Sequence, residues 1–221
     1  MAQKQNDTLN LLKSITTSNI ERISKYKNVA RRLKDMGFER VFSDNIANAS
    51  GVSASQVRKD FSMFGITGNR RGGYQIDDLI SQIYHILGKD NEQKLVVVGT
   101  GHIGKALLHF TELEKSGLYV VAGFDIDPSK INTENNPPIY PLSEFIDYVR
   151  QYNIELAVLA VPDFAAQQVF DMMANAGIKG IVNFAPIRLR NDKDVIIKSI
   201  NFEAEVETLV YFVNAKKNSE K

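Results

Sequence analysis

Residues 94–107 read KLVVVGTGHIGKAL, and this segment constrains the fold more than any other part of the chain. An apolar, β-branched run ends at Gly99, and a Gly-x-Gly-x-x-Gly turn then leads into a second apolar segment. This order predicts a buried strand, a tight turn and the start of a helix. Because the strand begins only at residue 94, the chain has room for a separate N-terminal domain.

The three glycines of this turn have distinct predicted roles. Gly99 makes the tight turn, Gly101 lets the backbone approach a pyrophosphate, and Gly104 lets the helix pack closely on the strand. The pattern therefore predicts a dinucleotide site. The predicted cofactor contacts within the turn are Gly99, Thr100, Gly101, His102, Ile103 and Gly104.

An acidic residue stands where the adenosine ribose of such a ligand is expected. The second strand ends at Phe124-Asp125, 26 residues after Gly99. A carboxylate at this point accepts hydrogen bonds from the ribose hydroxyls and repels a 2′-phosphate, so Asp125 favours NAD(H) over NADP(H). Asp127 is the rival for this role. The alternative is a Rossmann-like domain that binds another nucleotide, such as coenzyme A, or no ligand.

Strands and helices alternate through the rest of the chain, which predicts an α/β fold with a parallel sheet covered on both faces. Residues 77–89 are predicted to form a connecting amphipathic helix, followed by a short hinge, GKDNEQ. The predicted elements after it are LVVVG, IGKALLHFTELEK, LYVVAGF, LSEFIDYVRQY, IELAVLAV, FAAQQVFDMMANAG and IKGIVNF.

The front third reads as helices. Residues 19–36 have apolar spacings near three and four and end at Gly37. Ser43 is predicted to cap a short helix, Ser50-Gly51-Val52 to form a tight turn, and Ser53 to cap a second helix that ends at Gly65. A helix, a glycine turn and a second helix form the helix-turn-helix pattern, for which an ordinary helical hairpin is the alternative.

The second of these helices and the segment after it carry groups suited to DNA. Val57 and Phe61 are predicted to face inward, which leaves hydroxyl, amide and cationic side chains outside. The glycine-rich stretch GITGNRRGGYQI suits a wing that lies along a phosphate backbone or in a minor groove. The predicted DNA-binding residues are Ser53, Ser55, Gln56, Arg58, Lys59, Ser62, Arg70, Arg71 and Tyr74.

Charge is distributed unevenly along the chain. Residues 1–76 carry 13 Lys and Arg against 6 Asp and Glu, whereas the remainder carries 14 against 20. A basic N-terminal part favours contact with a polyanion, although chance placement of solvated charges is the alternative. The absence of cysteine excludes disulfides, thiolate zinc sites and a cysteine nucleophile. With no apolar run of ~20 residues and no signal peptide, we expect a cytoplasmic protein with neither a membrane nor a metal partner.

The sequence lacks the groups that hydride transfer needs. A dehydrogenase uses an acid or base beside the nicotinamide. His85 lies in the connecting helix, His102 in the glycine turn and His109 on the following helix, and no Tyr-x-x-x-Lys pair occurs. These observations favour a sensor over an enzyme. A nicotinamide-dependent oxidoreductase with a helical appendage remains the alternative, and a coenzyme-A-type subunit is a third possibility, for which the basic wing has no use.

Taken together, VSASQVRKDFSMFG, VVVGTGHIGKAL, FDIDPSK, LAVP and GIKGIVNFAPIRL resemble the Rex family of redox-sensing transcriptional repressors over nearly the whole chain. The strongest matches are residues 51–65 and 177–189. The resemblance implies a winged-helix DNA-binding domain over residues 1–88, a Rossmann NAD(H)-binding domain over 89–202 and a C-terminal helix over 203–221.

The resemblance also implies a mechanism. A homodimer binds a palindromic operator, and NADH releases it when the NADH/NAD⁺ ratio rises. Val161, Pro162 and the segment from Asn183 to Pro186 would line the nicotinamide end. The C-terminal helix would be exchanged between subunits. Its apolar stripe is Val206, Leu209, Val210 and Val213, and packing on its own subunit is the alternative.

Three positions depart from the family pattern. Some members join a Tyr, an Asp and an Arg across subunits in the DNA-binding state, and the aligned positions here hold Phe110, Asn201 and Asn28. We therefore expect a less sharp response to NADH. In the wing a basic residue is shifted relative to the family pattern, so Arg70 and Arg71 are predicted contacts as a pair.

Overall fold

The structure, a computed structural model, describes residues 15–69, 71–90 and 92–219. It divides into two compact units, one ending at Asn91 and the other beginning at Glu92. Each unit has its own hydrophobic core.

The described part of the first unit contains four helices and a small antiparallel sheet. Buried apolar residues of its helices form one core, in which Tyr26, Phe61 and Leu79 are among the largest fully buried side chains. The strands pair Arg40 with Gln75 and Val41 with Tyr74. The elements are α1 (Thr17–Asp35), β1 (Arg40–Val41), α2 (Ser43–Ser50), α3 (Ala54–Met63), β2 (Tyr74–Gln75) and α4 (Ile76–Ile86).

The starts of α2 and α3 test the two helix caps that the sequence predicted. Ser53 precedes α3, and its side chain accepts a hydrogen bond from the Gln56 backbone at 3.1 Å, as expected. The prediction for Ser43 was wrong. Phe42 occupies the cap position, and Ser43 is the buried first residue of α2. Asn45 Oδ1 instead accepts from the backbone N–H of Phe42 at 2.8 Å, which satisfies the donor of the cap residue itself.

The second unit is built on a parallel sheet of six strands. The strands are β3 (Gln93–Val98), β4 (Leu118–Asp125), β5 (Ile139–Pro141), β6 (Leu156–Leu159), β7 (Gly180–Asn183) and β8 (Ile196–Ser199). Their order is β5-β4-β3-β6-β7-β8, the doubly wound arrangement in which strands are added on one side of β3 as far as β5 and on its other side from β6 onwards. The helices are α5 (His102–Leu108), α6 (Phe145–Tyr152), α7 (Asp163–Ala176) and α8 (Phe202–Ser219). The predicted α/β class, with a winged helix before a Rossmann domain, is confirmed.

The two faces of the sheet are covered unequally. On one face, Phe145 and Val149 of α6 and Phe170 and Met173 of α7 are buried against the strands. On the other face, Leu108 of α5 closes a smaller core. Helices therefore lie on both faces, as predicted, but because α5 is short it leaves part of this second face open in the single chain.

Helix α5 ends earlier than the sequence suggested. The apolar pattern predicted a helix to residue 115, but α5 stops at Leu108 and is followed by turns and a 3₁₀ segment, Glu114–Ser116. Gly117 then adopts a left-handed φ of 74°, which redirects the chain into β4.

Candidate functional site

A cavity of about 570 Å³ lies at the carboxyl ends of β3, β4 and β6. This is the switch point of the sheet, where doubly wound folds bind their ligands, and the volume suits a small molecule. Seven of the ten predicted cofactor residues line it: Gly99, Gly101, His102, Ile103, Asp125, Val161 and Pro162. The lining also includes Ile126, Lys130, Leu142, Phe164, Phe184 and Pro186.

The glycine turn has the geometry that its sequence predicted. Gly99 adopts a left-handed φ of 89°, and a Cβ atom there would lie 2.5 Å from the Ala160 carbonyl oxygen. A Cβ on Gly104 would lie 1.8 Å from the Gly99 oxygen, so helix and strand touch at this point. Around Gly101 nothing lies within 4 Å of such a Cβ, which leaves its backbone open to the cavity.

Asp125 is tied to this turn by hydrogen bonds. Its Oδ2 accepts from the Thr100 backbone N at 2.7 Å, from Thr100 Oγ1 at 2.8 Å and from Lys130 Nζ at 3.2 Å. Among the described residues, its Oδ1 accepts from the Asp127 backbone N, at 3.0 Å. Burial on its own raises the pKa of this carboxyl, but the bonds from Asp127, Thr100 and Lys130 together outweigh it and lower the pKa of Asp125. Asp125 is therefore an ionised group whose Oδ1 has the greater capacity left for a ligand.

The rim beside Asp125 carries both signs of charge. Lys130 Nζ lies 3.2 Å from Asp125 and 3.8 Å from Asp127. Hydrogen bonds from Ser129 lower the pKa of Asp127. Both carboxylates disfavour a ribose 2′-phosphate, and Lys130 partly offsets them.

Three predicted cofactor residues do not line the cavity. Thr100 and Gly104 are buried beneath the turn and hold its shape. Asn183 is fully buried, where its Nδ2 donates to the Ala185 and Ile187 carbonyls and its Oδ1 accepts from the Ala185 backbone. It therefore shapes the loop that presents Phe184 and Pro186, both of which line the cavity.

In the first unit, α3 presents the polar face that its sequence predicted. Val57 and Phe61 are 0% and 1% exposed. The outward side chains of the same helix and its cap are Ser53, Ser55, Arg58, Lys59 and Ser62. Gln56 lies partly inward and donates to Asp60 Oδ1 at 2.9 Å.

Asp60 organises the attachment of α3 to α1, a role that the sequence analysis missed. Arg22 donates two hydrogen bonds to its carboxylate, from Nε to Oδ2 at 2.7 Å and from Nη2 to Oδ1 at 2.6 Å. The Tyr26 hydroxyl donates to Oδ2 at 2.8 Å. Burial alone raises the pKa of this carboxyl, but the bonds from Arg22, Tyr26 and Gln56 together lower the pKa of Asp60. The sequence contained one indication of this role: Asp60 stands three residues after Val57 and next to Phe61, so it falls on the apolar face of the helix.

The wing is a tight hairpin in front of β2. Backbone bonds of 2.8 Å join Asn69 and Gly73 in both directions, and Asn69 Oδ1 accepts from the backbones of Arg71 and Gly72 at 2.9 Å. Arg71 is exposed, whereas Arg70 lies outside the described residues. The Tyr74 ring packs edge-on against Phe61 at 5.0 Å, so it anchors the wing to the core of the unit.

The less covered face of the sheet contains an apolar groove of about 390 Å³ over β3, β6, β7 and β8. Leu107, Phe110, Leu113 and Ile196 are among its lining residues, and Phe110 is half exposed. Helix α8 buries no residue, and its exposed apolar side chains include Val206, Leu209, Val210, Tyr211, Phe212 and Val213. Both are apolar surfaces of the kind that mark interaction sites.

The described residues give no sign of a membrane or metal site. None of their helices is long and apolar enough to cross a bilayer. Nor does any group of three or more His, Asp or Glu among them have an arrangement that could hold a metal ion.

A DNA-reading winged helix and a Rossmann unit with a ligand cavity, carried on one chain, define a ligand-responsive DNA-binding protein. Two family models match it: "CoA binding domain" over residues 90–187 and "Putative DNA-binding protein N-terminus" over residues 14–62. The redox-sensing transcriptional repressor Rex of Streptococcus agalactiae serotype III (strain NEM316) is 36% identical over 208 residues, covering 93% of this chain and 98% of the relative. That of Streptococcus pyogenes serotype M1 is 36% identical over 205 residues, covering 91% and 96%.

Two solved structures match nearly the whole length of this chain. RSP in complex with β-NAD⁺ and operator DNA matches with a TM-score of 0.86 and 28% identity, covering 93% of this chain and 95% of that one. RSP, a Rex-family repressor, in complex with β-NADH matches with a TM-score of 0.80 and 28% identity, covering 94% and 98%. The chain belongs to the Rex family of redox-sensing transcriptional repressors.

Proposed function

We propose that this protein is a NAD(H)-responsive repressor that binds a palindromic operator as a homodimer and leaves it when the NADH/NAD⁺ ratio rises. The observation that carries the proposal is the cavity at the switch point of the sheet, built around the glycine turn, in a chain that also exposes Arg58 and Lys59 on α3. One part recognises the ligand and the other recognises DNA. Because its partner is operator DNA, we expect the protein in the cytoplasm.

We expect the dinucleotide to bind in this cavity in one orientation. Its pyrophosphate lies on the open backbone at Gly101, in the glycine turn before α5, where the backbone can approach an anion closely. Its adenosine ribose bonds to Oδ1 of Asp125, the oxygen with fewer internal partners. Its nicotinamide lies towards Phe184 and Pro186, which Asn183 holds in position.

The residues that line the cavity favour a dinucleotide that is bound as a regulatory ligand over one that is oxidised or reduced in the site. Asp125 is held ionised by its hydrogen bonds, and Asp127 and Lys130 stand on the same adenosine side. His102 is exposed in the glycine turn. At the proposed nicotinamide end, the lining residues Val161, Pro162 and Phe184 have no group that transfers a proton. Turnover of NADH with a small carbonyl would favour the oxidoreductase alternative.

DNA recognition rests on α3 and the wing. Arg58, Lys59 and the outward serines of α3 offer donors to base edges and phosphates, and Arg71 does so from the wing. The predicted contact of Arg70 lies outside the described residues. Two such units bind half-sites about one helical turn apart on a duplex, so a modest rotation within the dimer removes half of the contacts.

Two apolar surfaces support the homodimer. The groove beside Phe110 and the stripe on α8 are both exposed in a single chain. Burying α8 of a second copy removes both surfaces from water at once, and a dimer matches the two-fold symmetry of a palindromic operator.

The test is operator binding at one fixed salt concentration, with the apo, NAD⁺ and NADH forms compared on a labelled palindromic duplex. Fixed salt is needed because phosphate contacts make affinity steeply salt-dependent. We expect NADH alone to release the DNA. A double variant, Arg58→Ala with Lys59→Ala, should lose operator binding and keep its NADH affinity. Tight binding in all three forms would contradict the redox switch and leave a DNA-binding regulator.

A further inference from the structure

Lys27 is a buried cation whose charged neighbours are themselves cations. Its side chain is 3% exposed, and among the described residues no other lysine or arginine is buried. The charged groups that act on it are Lys89 and Arg31. Desolvation makes a buried cation unfavourable, and like charges beside it add to that cost. Such an arrangement favours the binding of an opposite charge.

The three cations come from two segments of the first unit. Lys27 and Arg31 lie four residues apart on α1, so they occupy the same face of that helix. Lys89 follows α4, where Gly88 adopts a left-handed φ of 66° and the Lys89 backbone N donates to the Tyr84 carbonyl at 2.9 Å. This turn holds Lys89 against the end of α4. Its side chain lies within hydrogen-bonding distance of the Lys27 amine.

The amine of Lys27 forms the inner part of this cluster. The titratable groups that face it are Arg31 on α1, Tyr84 on α4 and Lys89 after α4. Lys27 Nζ lies 5.9 Å from the centroid of the Tyr84 ring, a cation–π distance that favours the charged amine. Arg31 and Lys89 are partly exposed. An anion that arrives from solvent therefore meets two accessible cations with a desolvated one behind them.

The charges of the cluster disfavour one another. Burial, together with the charges of Lys89 and Arg31, lowers the pKa of Lys27 to about 8. Burial and Arg31 also lower the pKa of Lys89, against an opposing hydrogen bond with Lys27. At neutral pH most of the Lys27 amine is still protonated, so three positive charges lie together. A bound anion replaces this repulsion with attraction, and the water-poor surroundings strengthen each contact.

We propose that Lys27, Arg31 and Lys89 form a binding site for a free oxyanion of the phosphate type. A tetrahedral oxyanion has several acceptor oxygens, so it accepts charge-assisted hydrogen bonds from a guanidinium and two ammonium groups at once. All three residues belong to the first unit, whereas the residues that line the dinucleotide cavity belong to the second. The oxyanion is thus a second ligand, and its binding does not depend on the proposed dinucleotide site.

The first experiment titrates the full chain with inorganic phosphate at pH 7 in a calorimeter, with the ionic strength held constant by sodium chloride. Binding is measured directly because phosphate also stabilises folded proteins non-specifically. Lys27→Met keeps a long side chain and removes its charge, and it should weaken phosphate at least roughly tenfold, the loss of one charge-assisted hydrogen bond. Lys25→Met removes an exposed lysine of the same helix and should leave the affinity unchanged.

Three outcomes would overturn the proposal. The first is that the unmodified protein binds no phosphate. The second is equal phosphate affinity in Lys27→Met and the unmodified protein, which would place the anion elsewhere, for example at the glycine turn. The third is that Lys27→Met weakens operator binding and reduces its salt dependence in phosphate-free buffer, which would assign the cluster to the DNA backbone. Circular dichroism checks that the variants are folded, and Lys89→Gln is a second variant that should also bind phosphate more weakly.

The second experiment follows pH, with sulfate as the probe because sulfate does not titrate near neutral pH. A bound anion favours the protonated amine and so raises the pKa of Lys27 above about 8. Sulfate affinity should therefore be fully present below about pH 8 and fall as the pH rises from there towards the pKa of the complex. In Lys27→Met the affinity should change less with pH. Identical pH profiles for the two proteins would contradict the role of Lys27.

Discussion

A single residue, Asp60, decides how α3 is attached to the rest of the first unit. Asp60 is a charged residue with a fully buried side chain, and it is stable there because Arg22, Tyr26 and Gln56 all donate to it. Removing one member of a buried, hydrogen-bonded ion pair leaves the other without compensation, which is far more harmful than losing an exposed pair. The same carboxylate therefore stabilises the unit and orients the helix that carries Arg58 and Lys59.

Asp60→Ala should destabilise the first unit by about 3 to 5 kcal/mol, since Arg22 then lacks its partner. Chemical denaturation monitored by circular dichroism measures this change. Asp77→Ala is the matched control, because it breaks the exposed 2.5 Å pair with Lys34 and should change the free energy of unfolding by less than about 1 kcal/mol. Equal effects in the two variants would show that burial of the Asp60 pair is unimportant.

The same residue predicts a dependence on pH. The folded protein lowers the pKa of Asp60 from its ordinary value of 3.8, so its contribution is fully present above that pH and is lost as the pH falls through the folded-state pKa. Asp60→Asn cannot titrate. Between roughly pH 5 and pH 3, the free energy of unfolding should therefore fall less in Asp60→Asn than in the unmodified protein. Parallel pH profiles from urea denaturation would refute this assignment.

At the scale of elements, the sheet and the turn that β3 feeds into α5 create the site. Gly104 and Gly101 are both glycines, but for different reasons. Gly104 lets the helix touch the strand, whereas Gly101 leaves the backbone open to the cavity. One glycine maintains the fold and the other leaves room for the ligand. The two functions are separable by substitution.

Gly101→Ala should fold normally, because its φ of −67° suits any residue and its Cβ meets nothing within 4 Å. It should nevertheless weaken NADH binding at least roughly tenfold by crowding the pyrophosphate. Gly104→Ala should lose both thermal stability and NADH binding, since its Cβ would overlap the Gly99 oxygen. Thermal melts and NADH fluorescence titrations separate the cases. Equal melting losses in both variants would contradict the division of roles.

Helix α8 provides a test of the dimer. Leu209→Glu puts a charge into the exposed stripe and should convert the proposed dimer to a monomer, because a buried unpaired carboxylate is unfavourable in an apolar interface. Glu207→Gln, on the same helix but outside the stripe, should leave the dimer intact. Sedimentation velocity measures both. A monomeric unmodified protein, or a dimeric Leu209→Glu variant, would exclude α8 as the dimer contact.

The sequence predicted the elements that periodicity and glycine turns define, and it missed those that depend on neighbours. β5 and β8 have three and four residues, too few for a clear alternation, and they exist because β4 and β7 offer open edges. The end of α5 at Leu108 also escaped, since the apolar pattern continues through Phe110 and Leu113 into the groove surface. In the site, the turn residues were foreseeable from spacing. Phe164 was not, because an exposed aromatic has no periodic signature.

At the scale of the whole molecule, the proposed function requires that a ligand bound by the second unit change the binding of DNA by the first. A ligand shifts such an equilibrium only by its difference in affinity for the two states. The resemblance to the family predicts that Phe110, Asn201 and Asn28 stand in place of a polar network that some family members have. Phe110 lines the apolar groove, and Asn201 Oδ1 accepts from the Ala204 backbone at the start of α8. None of the three can supply a charge.

Operator release should therefore be less steep in NADH than in a variant that restores all three groups, Asn28→Arg with Phe110→Tyr and Asn201→Asp. The restored charges favour one dimer geometry more strongly and sharpen the transition. Fluorescence anisotropy of labelled operator, titrated with NADH at constant NAD⁺, gives both curves. Identical steepness would show that this polar network is dispensable in the present chain.

Asp125 joins the end of β4 to the turn after β3, because its Oδ2 accepts from both the backbone N and the hydroxyl of Thr100. Removing this carboxylate therefore disturbs two strand ends at once, since both donors of Thr100 lose their acceptor. The proposed ribose acceptor and the shape of the glycine turn cannot be altered independently at this position. A lineage that changes its ligand by replacing Asp125 must rebuild the turn as well.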